Sequence, residues 1–173
     1  MPTQLKPEVN DKDHIQGNKA ATIEIVEYGD FQCPSCGQAY PVIKKIQDVF
    51  GFQIRFIFRN FPLAESHQYA TIAAIAAEAA ALQDKYWEMH DAIYENQSEL
   101  NEDLLYELAE QIGLDTDKFE MDVQNESLKE KVESDFESGM RCGVNGTPTF
   151  FVNGEKFDGG ADDIYNVLEE STK

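Results

Sequence analysis

The feature that most constrains the fold of this chain is that its hydrophobic periodicity changes twice along 173 residues. Thr22-Ile23-Glu24-Ile25-Val26-Glu27-Tyr28 reads as a strand, rich in β-branched residues. From Cys36 to Phe50 apolar residues recur at helical spacing, at Tyr40, Ile43, Ile46, Val49 and Phe50. Pro41 lies inside this helix and is expected to kink it. Gln53 to Phe61 alternates again through Ile54, Phe56, Ile57 and Phe58. A strand, a helix and a strand imply a βαβ unit with a parallel pair.

Strand signals then stop. Ser66–Leu82 is alanine-rich, and Asp84–Asn96 carries Tyr86, Trp87, Met89, His90, Ile93 and Tyr94. Asn101–Ile112 ends at Gly113, a C-cap signal, and helices are predicted over Asp115–Val123 and from Glu126 to about Met140. Strand character returns at Thr149–Val152, followed by an Asn153-Gly154 hairpin turn, a partner strand in Glu155–Asp158 and a last helix over Ala161–Glu170. The reading is an α/β fold in which residues 21–63 and 141–173 form one domain and residues 64–140 an inserted helical domain. Residues 1–20, with Pro2, Pro7 and Gly17 and little periodicity, read as an extended arm.

Composition narrows the function. With 42% hydrophobic residues, a chain of this length can bury a core without staples, and three cysteines are too few for a disulfide scaffold. A net charge of −19 repels phosphate, which argues against nucleic acid and anionic membrane surfaces as partners. The most apolar stretch, Tyr69–Leu82, is too short to span a bilayer. Met1–Asn18 is polar and lacks the apolar segment of an export signal, so the expected location is cytoplasmic. Periplasmic or other extracytoplasmic location is the alternative if a signal peptide has been removed.

The chemistry centres on Cys33-Pro34-Ser35-Cys36. A C-x-x-C beside a βαβ pattern marks a dithiol redox site. Cys33 should sit at the N-terminus of the helix, where unpaired N–H groups and the helix dipole stabilise a thiolate. Cys36, one turn on, faces the same way and can resolve a mixed disulfide formed on Cys33. Cys33 is thus expected as the exposed nucleophile and Cys36 as the buried resolving thiol. A structural disulfide and half of a zinc site are the other readings of such a pair. Zinc would need two further ligands, and Cys142, His67 and His90 form no second close pair. Cys142 reads as a small buried hydrophobe, His67 and His90 as packing or surface residues, and Trp87 as core of the insertion.

The run Val26 to Gly37, the run Gly143-Val144-Asn145-Gly146-Thr147-Pro148-Thr149-Phe150-Phe151-Val152-Asn153-Gly154 and the segment Lys85-Tyr86-Trp87-Glu88-Met89-His90-Asp91 resemble DsbA-family thioredoxin-like proteins. The resemblance covers about Asn18 to Glu170, with the three motifs in order. It implies a thioredoxin fold with an inserted α-helical domain between the βαβ and ββα halves. It also implies thiol–disulfide exchange with protein or peptide thiols and disulfides, an unidentified redox partner, and a cis-proline, Pro148, facing the cysteines. Thr147 would then offer its backbone to an extended substrate peptide, with Pro34 and Ser35 alongside. By the same analogy Glu27, six residues before Cys33, is buried beneath the pair and takes a proton from Cys36; alternation places it on the side of Ile23 and Ile25.

No metal is implied, and no cofactor is needed, because the dithiol carries the electrons. Pro34-Ser35 departs from the Pro-His of the strongly oxidising members, so the Cys33 thiolate should be less stabilised and the pair less oxidising. Two other classes stay open. One is a glutathione-dependent transferase or isomerase on the same fold, which the intact cysteine pair disfavours. The other is a peptide-binding, chaperone-like module with an incidental disulfide.

Overall fold

The computed structural model describes residues 3–172. Among them, seven α-helices surround one five-stranded sheet, in the order β1 (Ile15–Gly17), β2 (Ile23–Gly29), α1 (Pro34–Phe50), β3 (Ile54–Asn60), α2 (Ala70–Ala81), α3 (Tyr86–Glu95), α4 (Glu102–Gln111), α5 (Thr116–Asp122), α6 (Glu126–Arg141), β4 (Thr149–Val152), β5 (Glu155–Lys156) and α7 (Ala161–Ser171). The strand order across the sheet is β1-β3-β2-β4-β5. β2 runs parallel to β3, with Glu27 opposite Phe58, and antiparallel to β4, with Glu27 opposite Phe150. This is the thioredoxin arrangement, with α2–α6 following β3 and preceding β4.

β2 lies at the centre and is buried on both faces. Ile25 and Glu27 point into a core shared with α1 and the helices that follow β3, which also holds Phe31, Phe58, Ile43 and Phe150. Val26 and Tyr28 point into a second cluster with Ile57, Phe61, Phe151 and Cys142. The hairpin forms as the sequence reads: Asn153 and Gly154 have φ of 50° and 85°, the paired positive angles a tight hairpin of this kind requires. Asn101, Asp115 and Asn125 cap α4, α5 and α6 by accepting from the backbone N–H groups of Leu104, Lys118 and Ser127. The alanines of α2 are nearly all buried, which lets α3, α4 and α6 approach it closely.

The N-terminal segment differs from a free arm. Ile15–Gly17 is a strand, antiparallel to β3 and pairing Ile15 with Ile57. Leu5 is buried in the second cluster, and its N–H donates to the Gly154 carbonyl at 2.7 Å. Arg59, 2% exposed, grips this segment: its Nε and one terminal nitrogen each lie 2.9 Å from the two oxygens of Asp13, and it also donates to Tyr28 Oη. Cys142 packs as a buried residue, as expected, and is tied to the segment as well, its Sγ accepting from the Lys6 N–H at 3.1 Å. Helix α1 begins at Pro34, two residues before the apolar periodicity starts, because proline at the first helical position needs no hydrogen-bonding partner for its nitrogen.

Candidate active site

Cys33 is the N-cap of α1, with φ −70° and ψ 123°, so the strand β2 and the short loop after it deliver its sulfur to the helix entrance. Cys33 and Cys36 are both free thiols here, not a disulfide. Cys36 is 1% exposed; Cys33, at 7%, is itself well covered, so it is less open than the exposed nucleophile the sequence suggests. Pro34 and Ser35 are exposed between them. The Thr147–Pro148 peptide bond is cis. The Thr147 carbonyl lies 3.6 Å from Cys33 Sγ, which brings the loop before β4 over the cysteine pair.

The two thiols are electrostatically split. Cys33 is pulled down to about 5, chiefly by the hydrogen bond from the Cys36 thiol, with the Thr147 side chain and the backbone N–H groups of Cys36 and Ser35 adding to it and burial opposing. The neighbouring thiol thus outranks the helix terminus that the sequence argument put first. Burial pushes Cys36 far above the ordinary thiol range, and the hydrogen bond it gives Cys33 and the nearby Glu27 raise it further. Glu27, 3% exposed, is pushed up to about 8 by burial and then by the Cys33 charge. The structure therefore brings Cys33, Cys36, Glu27 and Thr147 into one cluster.

Several residues to which the sequence gives no role at the site hold this cluster. Asp30, 1% exposed, has a backbone N–H 3.5 Å from Cys36 Sγ, and its carboxylate accepts from the N–H groups of Gln32 and Leu63 and contacts His67 Nδ1 at 2.7 Å. His67 is therefore an anchor for the active-site loop. Gln97 Nε2 donates to the carbonyls of Phe31 and Cys33, each at 2.8 Å. Gly37 allows this: a Cβ there would come within 2.1 Å of Gln97 Oε1. His90 is buried against Phe31, Phe58 and Trp87, and Trp87 also meets Phe56 of the sheet. Loop anchors of this kind leave no local pattern, since their partners lie more than 30 residues away.

Residues 9–169 match the family model described as Thioredoxin. The chain belongs to the thioredoxin family. BdbD from Bacillus subtilis superposes with a TM-score of 0.83 at 24% identity, covering 98% of this chain and 97% of that one. The thiol–disulfide exchange protein alpha-DsbA2 from Wolbachia pipientis gives 0.81 at 20% identity, covering 93% and 88%. At such identities the likeness establishes the fold. In sequence the chain is 41% identical over 157 residues to the Na(+)/H(+) antiporter NhaA 1 of Salinispora arenicola, covering 91% of this chain and 23% of the antiporter. It spans about a quarter of the length of such curated relatives, and antiport is a description of those whole proteins. Among the described residues no helix is long and apolar enough to cross a membrane.

Proposed function

We propose that this chain exchanges disulfides with protein or peptide thiols through Cys33 and Cys36. The observation that carries the reading is the split between the two thiols: an anion is favoured on Cys33 while Cys36 keeps its proton. Only a thiolate attacks a disulfide, so Cys33 is the nucleophile and the better leaving group. Cys36 then attacks Cys33 of the mixed disulfide; the Cys33–substrate bond breaks, the Cys33–Cys36 bond forms, and the substrate leaves as a thiolate that takes its proton from solvent. Glu27 takes the proton that Cys36 must lose. An extended substrate segment lies along Thr147 and Pro148 beside the exposed Pro34 and Ser35.

The Cys33 value sets the scale of the potential. Thioredoxin pairs a thiol near 7 with about −270 mV, and DsbA one near 3.5 with about −120 mV. A thiol at about 5 falls between them, so the pair is expected to have a potential between about −270 and −120 mV. Such a pair would be kept mainly as the dithiol by a cytoplasmic glutathione pool and would act as an oxidant in a more oxidising compartment, so direction follows location.

The test equilibrates the protein in graded glutathione buffers, traps thiols by alkylation and reads the Cys33–Cys36 state by mass. A potential between about −270 and −120 mV supports the reading; absence of a Cys33–Cys36 disulfide at any poise sinks it. Cys33→Ser should abolish exchange with a disulfide peptide, whereas Cys36→Ser should accumulate the mixed disulfide. Glutathione conjugation, or peptide refolding that survives loss of both cysteines, would instead favour the transferase or chaperone-like alternatives.

A further inference from the structure

Behind the cysteine pair, two buried polar atoms have no hydrogen-bonding partner: Glu27 Oε2 and His90 Nε2. Both side chains line one narrow cavity of about 10 Å³, together with Tyr40, Lys44, Gln47 and Tyr94. That volume is the least that admits a single water. The polar groups of the other walls are engaged elsewhere: Tyr40 Oη donates to Glu95, Tyr94 Oη to the Asp30 carbonyl, Gln47 to Gln16, and Lys44 to Asp91. What remains is a carboxyl on one side and an imidazole nitrogen on the other.

The tautomer of His90 follows from its second nitrogen. Nδ1 lies 2.9 Å from Asp91 Oδ1, and the other oxygen of Asp91 is paired with Lys44 Nζ at 2.9 Å. A carboxylate can only accept, so Nδ1 carries the proton and Nε2 presents a lone pair to the cavity. A protonated Glu27 and a bare Nε2 are then a donor and an acceptor that one water can join.

We propose that a water bridges Glu27 Oε2 and His90 Nε2, and that His90, oriented by Asp91, relays the proton between Glu27 and solvent. The proposal rests on the reading of Glu27 as the group that takes the Cys36 proton. Ahead of the resolving step the Glu27 carboxyl proton passes through the water to Nε2, and the Nδ1 proton leaves through Asp91, whose side chain is a quarter exposed. The carboxylate so formed takes the Cys36 proton as the Cys36 sulfur bonds to Cys33. Re-reduction of the pair runs the same protons backwards and restores the starting tautomer. The titratable groups around the ring are Asp91, Tyr86 and Tyr94 on α3, Tyr40 and Lys44 on α1, Glu27 on β2, and His14, which stacks on Tyr86. Burial holds His90 below its ordinary range while Asp91 works against that, so the ring starts neutral and can accept.

The experiment preforms a mixed disulfide between Cys33 and a cysteine peptide, by way of a Cys36 released from a protecting group on demand, and follows peptide release against pH in H2O and D2O. His90→Gln should slow release at pH 7 by at least about tenfold, a modest share of what positioned proton transfer contributes, and should reduce the solvent isotope effect. The alkylation profile of Cys33 should be unchanged, which a merely structural role would not predict. Asp91→Asn, which can donate to Nδ1 and so place the proton on Nε2, should produce the same slowing. Release as fast as wild type in either variant overturns the relay, as does slowing that tracks a shift in the Cys33 profile. If Glu27→Gln slows release and His90→Gln does not, only the relay fails; if neither does, the role of Glu27 fails with it.

Discussion

Replacing Glu27 by glutamine keeps its shape and removes its titration, and the structure fixes what this should do to stability. The folded carboxyl is held at about 8, against an ordinary value of 4.5. Between those values the unfolded chain is ionised and the folded one is not, so folding takes up a proton and stability falls as pH rises. At pH 7 the unfolded carboxyl is 2.5 pH units past its own value while the folded one is still mainly protonated. One unit is worth about 1.4 kcal/mol, so Glu27 holds the folded state down by about 3 kcal/mol relative to a side chain that does not titrate. That is a large share of the 5–15 kcal/mol a domain typically has. Urea unfolding of the reduced protein at pH 4.5, 7 and 8.5 measures it. The two proteins should differ by less than about 1 kcal/mol at pH 4.5, the glutamine variant should lead by about 3 kcal/mol at pH 7, and the gap should widen to about 4–5 kcal/mol at pH 8.5. A gap that ignores pH, or a glutamine variant less stable at pH 7, would show that the carboxyl ionises in the fold as an exposed glutamate does. Because the Cys33 charge is the second cause of the shift, the gap should narrow in a Cys33→Ser background.

Cys36→Ala removes the leading cause of the low Cys33 value, so the thiolate absorbance of Cys33 should titrate roughly 1–2 units above its present position of about 5; an unchanged midpoint would assign the shift to the Thr147 side chain and the helix terminus instead. Gly37→Ala should push Gln97 off the Phe31 and Cys33 carbonyls, lowering stability by about 1–3 kcal/mol in urea titrations. Gln97→Ala should cost about the same and the double variant little more, since both remove one set of hydrogen bonds. Arg59→Met leaves the Asp13 carboxylate, 4% exposed, without its partner and should cost about 3–5 kcal/mol; a loss under 1 kcal/mol would mean the N-terminal segment is not fastened there.

The α/β thioredoxin architecture was legible because two local signals agree with the long-range order. The β-branched runs around Ile25 and Phe56 and the Asn153-Gly154 turn each carry their own periodicity or backbone requirement. Strand β1 was not legible for the opposite reason: three residues, Ile15-Gln16-Gly17, are too few to alternate, and they are a strand only because β3 offers an unpaired edge. The fastening of residues 3–13 was hidden likewise, since Arg59 meets Asp13 across 46 positions of sequence. His90 could be read from sequence only as a residue on a helix; its orphan nitrogen shows up when α3 is laid against Glu27 across the end of the sheet.

The cluster itself combines opposed demands, and their balance has a consequence for pH. Cys33 is depressed from 9 to about 5, so its anion stabilises the reduced fold above that range and the gain disappears as pH falls through 5. At pH 7 this gain is at most about 3 kcal/mol, reduced by solvent screening of the thiolate, and opposite in sign to the effect of Glu27. In the reduced protein the two slopes should therefore nearly cancel between about pH 5 and 8, where the Cys33 anion adds stability as pH rises and Glu27 removes it. Oxidation to a disulfide removes the Cys33 contribution but leaves Glu27 buried, so the stability of the oxidised protein should fall as pH rises from about 5 to 8. Parallel urea titrations of the two redox states across pH 4 to 9 separate the two groups, and an oxidised protein whose stability does not fall with pH over that window would show that Glu27 is not held protonated in the fold.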